Sequence, residues 1–170
     1  MTKLFLILIV GIFPLTATSQ KNPEQLGNYL FKYLKEGSIS KIDSLIPTLD
    51  EMKMLAEKIG LKKDSKQYSE AINGYNSELE KFHETINGLY SDTADNHLNW
   101  KNANLKKVIS FSDSMKIDEK DPKSISVLVT RLSIYFESNS QKFRITIDDA
   151  FEVNGSWKLG NNIYLKKSTE

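Results

Sequence analysis

The spacing of apolar residues changes once along this chain, near Trp100, and that change restricts the fold more than any other feature. Before Trp100 apolar residues recur every three or four positions, as on one face of a helix. After it they alternate, as on one face of a strand. Leu26, Tyr29, Leu30, Tyr33 and Leu34 form a first stripe, opened by Pro23 and closed by Gly37. Ile39, Ile42 and Ile46 mark a short second helix that stops at Pro47. Thr48 and Glu51 have capping-box spacing ahead of Leu49, Met52, Leu55 and Ile59. Tyr68, Ile72, Tyr75, Leu79, Phe82, Ile86 and Leu89 then alternate spacings of four and three. That pattern predicts a long spine helix, capped by Asp64 or Ser65. It reads as a face packed on the chain's own sheet, with a homodimer seam running from Tyr68 to Leu89 as the alternative.

From Ala103 onward four strands are predicted. Val108 to Ile117 marks the first and Val127 to Glu137 the second. Phe143, Ile145, Ile147, Phe151 and Val153 mark the third. Trp157, Leu159, Ile163 and Leu165 carry the last, with a bend at Gly160. Asn154-Gly155 is a strong hairpin signal between the last two. Helices over 23–91 followed by an antiparallel meander over 103–167 define an α+β class, with the spine helix across one sheet face. No repeat or linker divides residues 20–170, which are expected to form a single domain.

The start of the chain reads as an address. Lys3, the apolar run Leu4 to Leu15 and the small residues Ala17-Thr18-Ser19 make a secretory signal peptide over 1–19, with cleavage expected between Ser19 and Gln20. Removing 19 of 170 residues leaves 151, enough for one core. The sequence has no cysteine, so that core must hold without disulfides, thiolate metal ligands or a lipid-bearing cysteine. No later apolar run reaches the roughly 20 residues of a membrane helix. A periplasmic or secreted product with no membrane anchor is expected. Lysine and arginine then balance aspartate and glutamate, 22 of each, which is no footprint for nucleic acid.

The order of elements, Asn99-Trp100-Lys101 before the first strand, and the ending Asn154 to Gly160 resemble an uncharacterised class of small exported proteins of Bacteroidota-type bacteria. More loosely, the chain is similar to nuclear-transport-factor-2-like and cystatin-like folds, in which a helix lies across a curved antiparallel sheet. The first resemblance brings no activity. The second implies either a binder or an enzyme with a pocket between helix and sheet. The bacterial resemblance also implies O-glycosylation at Asp-Ser/Thr-apolar triplets. Three are present, placing Ser44, Thr93 and Ser114 as acceptors, with Thr93 in the loop after the spine helix.

Candidate chemistry is sparse. Asp149 shares parity with Phe143, Ile145, Ile147, Phe151 and Val153, so strict alternation aims it at the core face as a general acid or base. A β-bulge at Asp148-Asp149, or an edge position, would instead leave it solvated. His83 follows Glu80 by three residues, as in di-iron bundles, but no second such motif exists, and a boundary histidine is expected. His97, in a polar loop with Asp92 and Asp95, is a second proton-transfer candidate. No metal or cofactor is expected. Gly-x-Ser-x-Gly, phosphate-loop and His-Glu-x-x-His patterns are missing. Tyr33, Tyr75 and Tyr135 are candidates to line a binding pocket. The resulting expectation is an exported, non-catalytic domain binding a small molecule or a protein. The alternatives are a pocket hydrolase or isomerase using Asp149 and a histidine, and an oligomeric structural protein.

Overall fold

A computed structural model describes residues 20–91, 97–116 and 126–169. Five helices come first: α1 (Pro23–Glu36), α2 (Ile39–Asp43), α3 (Leu49–Lys58), α4 (Lys66–Asn73) and α5 (Tyr75–Ser91). A 3₁₀ turn, Trp100–Asn102, leads into β1 (Asn104–Lys116), β2 (Ser126–Ser138), β3 (Gln141–Val153), β4 (Ser156–Leu159) and β5 (Ile163–Lys167). The α+β class with helices before an antiparallel sheet is thus the observed one. Local signals account for the boundaries. The Asn22 side chain accepts from Gln25 N at 2.8 Å with Pro23 in the first turn. Thr48 and Glu51 complete their capping box in both directions, at 3.2 and 2.7 Å. Ser65, rather than Asp64, caps α4.

The sheet runs β1-β2-β3-β4 in meander order, and β5 also pairs with β3. The predicted last strand is therefore present in two pieces along one edge of β3. β5 pairs with residues 143–147 and β4 with residues 150–153. The predicted spine helix is likewise divided at Gly74 into α4 and α5. The backbone stays helical there, since Gly74 N donates to Glu70 O and Glu78 N donates to Gly74 O, at 2.9 and 3.0 Å.

The core lies between the helices and the inner sheet face. Phe136 is its centre, with ring centroids 5.3 Å from Phe31, 5.3 Å from Trp100 and 5.4 Å from Phe143. Trp100 is tied by its indole N–H to Leu89 O at 3.3 Å. α1 lies close on β1 and β2 because Gly27 has no side chain: a Cβ there would stand 2.7 Å from Val108 Cγ1. Phe82, Ile86 and Leu89 of α5 are buried in this same core, so that half of the seam is occupied by the chain itself.

The sheet's two edges differ. β4 is covered, because Trp157 N donates to Gln20 O and Leu159 N to Leu45 O, both at 2.9 Å. Gln20 is 3% exposed, and its side chain accepts from Ser156 Oγ at 2.9 Å. β1 pairs with β2 on one side and, among the described residues, with no strand on the other. No described helix is long and apolar enough to cross a membrane.

Candidate functional site

The interruption of the last strand sits beside a cavity between helices and sheet. Thr130 pairs with Ala150 and Leu132 with Ile147, so Arg131 faces two β3 residues, Asp148 and Asp149. This is a β-bulge, and it turns the two adjacent acids to different partners. Asp148 accepts from Arg131 Nε at 2.7 Å. Asp149 faces the break between β4 and β5. Its carboxylate accepts from Asn162 N and from Asn162 Nδ2, each at 3.2 Å. Its carbonyl accepts from Gly160 N at 2.8 Å, while Asp148 N donates to Asn162 O at 3.0 Å. The side chain thus replaces ladder bonds that the bulge and the break remove. It is neither aimed into the core, as strict alternation predicts, nor left in solvent. It is half-buried. Burial pushes its pKa above the ordinary aspartate value, with neighbouring Asp148 adding to the rise and hydrogen bonds from Asn162 and Asn161 opposing it.

Beside this stitch lies a cavity of about 170 Å³. Ile46, Met52, Leu79, Phe82, Phe151 and Leu159 supply apolar walls, and Tyr75, Glu78, Asp149 and Asn161 supply polar groups. Gly160 forms part of the lining because nothing larger fits: a Cβ would stand 2.5 Å from Asp149 O and closer still to its carboxylate. The polar groups already have partners. Tyr75 OH donates to Pro47 O at 3.0 Å. Burial raises the Tyr75 pKa, and the carboxylates of Glu51 and Asp43 raise it further. Glu78 accepts from Lys81 at 2.6 Å and from the Asn161 amide. The Lys81 hydrogen bond is the main cause pulling the Glu78 pKa down. At the sheet end, Lys158 and Glu51 form an ion pair at 3.2 Å, with the lysine side chain 10% exposed.

The sequence candidates are not gathered in one place. Tyr75 lines the cavity. Tyr33 is a buried residue of α1 itself, stacked on Tyr29 at 5.8 Å. Tyr135 lies on the outer sheet face, with Lys107 Nζ 4.6 Å from its ring centroid and Arg144 on it as well. His83 is a boundary residue whose Nε2 meets Asp43 Oδ1 at 2.8 Å. His97 is exposed, and its carbonyl accepts from Asn139 Nδ2 at 3.0 Å at the β2–β3 turn. Eight residues of β3, about 26 Å at strand rise, separate that turn from Asp149. Asp149 and His97 therefore do not form an acid–base pair. No group of three His, Asp or Glu side chains suited to a metal occurs among the described residues. Ser44 is exposed and donates to Lys41 O at 2.6 Å, Ser114 is exposed, and Thr93 falls outside the described residues. Gly160, Asn161, Asn162 and Glu78 were not singled out as site residues by pattern reading. The Gly160 bend and the broken parity at Asp149 were their only signals.

Asp149 gives a pH prediction. A carboxyl whose folded pKa is raised contributes stability that is fully present below the unfolded value of 3.8 and is lost as pH rises through the folded value. Asp149→Asn removes that titration. Urea midpoints should show the variant gaining on the native protein as pH rises above about 4. A flat or falling difference would contradict the assignment.

Comparison with protein-family models, with curated proteins and with solved structures gives no match.

Proposed function

We propose that this chain is an exported, non-catalytic domain that binds a small, largely apolar ligand in the cavity between α3–α5 and the bent end of the sheet. One observation carries the reading: a cavity with apolar walls whose polar groups already have hydrogen-bond partners within the protein. A site of that kind selects by shape and displaced water rather than by proton transfer. Its volume, about 170 Å³, suits a single ring with a short substituent. The test is ligand-observed NMR with benzyl alcohol and benzylamine. Saturation transfer at a Kd of about 1 mM or tighter is expected. Ala71→Phe, at an exposed position on the cavity lining, should abolish it. Absence of transfer, or transfer unchanged in Ala71→Phe, would end the proposal. Export itself is read by the mass of protein from its native host, which should begin at Gln20; added glycan mass would map to Ser44, Thr93 or Ser114.

A pocket hydrolase or isomerase is the second reading, favoured by one observation. Two carboxyls lining the same cavity have pKa values moved in opposite directions, Asp149 up and Glu78 down. That is the pattern of an acid and a base. It ranks second because both carboxylates already accept hydrogen bonds from neighbours.

A further inference from the structure

We infer that β1 is an interface between two copies of this chain, paired antiparallel about a twofold axis at Ser110. The edge invites it. β1 is 13 residues long, or about 43 Å, and among the described residues it ends the sheet. Proteins normally blunt such an edge with charges, bulges or a covering segment. Here the start of the strand is blunted by a bulge between Leu105 and Lys107, and the opposite sheet edge is covered by Gln20 and Leu45. From Val108 to Ser114 the register with β2 is regular. On the outer face of that stretch Phe111 is 68% exposed and Ile109 is 45% exposed.

The sequence of this stretch is complementary to itself. On the outer face the order is Lys107, Ile109, Phe111, Asp113. Antiparallel pairing about Ser110 sets Lys107 of one copy opposite Asp113 of the other and Ile109 opposite Phe111. Symmetry makes each pair twice. On the inner face Ser110 meets itself and Val108 meets Ser112, so small side chains let the strands approach. Sliding the register by two residues loses both matches: Phe111 would face itself with Ile109 against Asp113, or Lys107 would face Phe111. The pairing also brings the two Glu24 carboxylates, each bound to Ser110, toward the axis. The interface lies across the sheet from the cavity, so it stands or falls independently of the ligand reading.

Sedimentation equilibrium of the native protein should give twice the monomer mass at high micromolar concentration. Phe111→Lys, at a side chain mostly in water, should give monomer with an unchanged far-ultraviolet circular dichroism spectrum. Lys107→Asp alone and Asp113→Lys alone should each weaken association by about tenfold or more, because opposed pairs become like-charged. An equimolar mixture of these two variants should associate again, since each then meets an opposite charge at both positions. A native monomer throughout, a dimer indifferent to Phe111→Lys, or a mixture no stronger than its components would overturn the inference.

Discussion

Phe136→Ala is expected to cost about 4 kcal/mol of folding stability, within the range for truncating a fully buried aromatic ring. Phe136 is 1% exposed and touches three other aromatic rings contributed by α1, the 3₁₀ turn and β3. Removing it takes away the ring's transfer free energy and leaves a void walled by side chains that cannot follow it. Phe31 is fixed by α1, Phe143 by its pairing opposite Phe136, and Trp100 by its bond to Leu89 O. The loss would be a large share of the 5–15 kcal/mol typical of a domain. Urea unfolding at constant slope measures it, and near-ultraviolet circular dichroism of Trp100 reports the local disorder. A cost below about 1.5 kcal/mol would mean that the aromatic cluster is not the centre of the core.

Gly160→Ala is the second large effect, about 2–4 kcal/mol, for a single added methyl group. Backbone dihedrals are not the cause, since Gly160 has no positive φ. The cause is that the methyl would enter the space held by the Asp149 carboxylate and stand 2.5 Å from its carbonyl oxygen. The carboxylate can swing away only by releasing both bonds to Asn162, and the carbonyl cannot move without breaking its 2.8 Å bond from Gly160 N. A double-mutant cycle separates these contributions. In an Asp149→Ala background the carboxylate contacts are gone, so Gly160→Ala should cost measurably less, leaving the clash with the carbonyl. Additive costs would show that the Asp149 side chain is not what Gly160 makes room for. The same variant should also alter ring-compound binding, because Gly160 lines the cavity.

Much of the fold is legible from local chemistry. The period change at Trp100, Pro23 at the start of α1, the Thr48–Glu51 box and the Asn154-Gly155 turn each act through neighbours in sequence, and each is where the pattern puts it. Asn154 and Gly155 adopt positive φ values of 52° and 73°, as a two-residue hairpin of this kind requires. What pattern reading lacks is partner choice. Parity marks Asp149 as irregular, but it cannot say that Asn162, thirteen residues on, takes both carboxylate oxygens. Regular spacing from Tyr68 to Leu89 reads as one helix, yet Gly74 divides it, with half-buried residues before the glycine and Phe82, Ile86 and Leu89 in the core after it. The tyrosines show the same limit. Their type fits a wet edge, but only the packing of α3, α4 and α5 decides that Tyr75 reaches the cavity while Tyr33 is buried and Tyr135 faces outward.

The covered edge of β4 has a consequence for the order of events in the life of the chain. Gln20, the first residue expected after cleavage, is buried and held to Trp157 and Ser156, near the far end of the sequence. A peptidase needs the Ser19–Gln20 bond extended and accessible, and the finished edge of the sheet withholds Gln20 from it. If the chain is cut before Gln20, as proposed, cutting must precede closure. The last hairpin, made when synthesis is almost over, covers a residue made when synthesis had barely begun. Trimming and completion of the sheet would form a sequence with one permitted direction, in which a chain that folds before it is trimmed stays untrimmed.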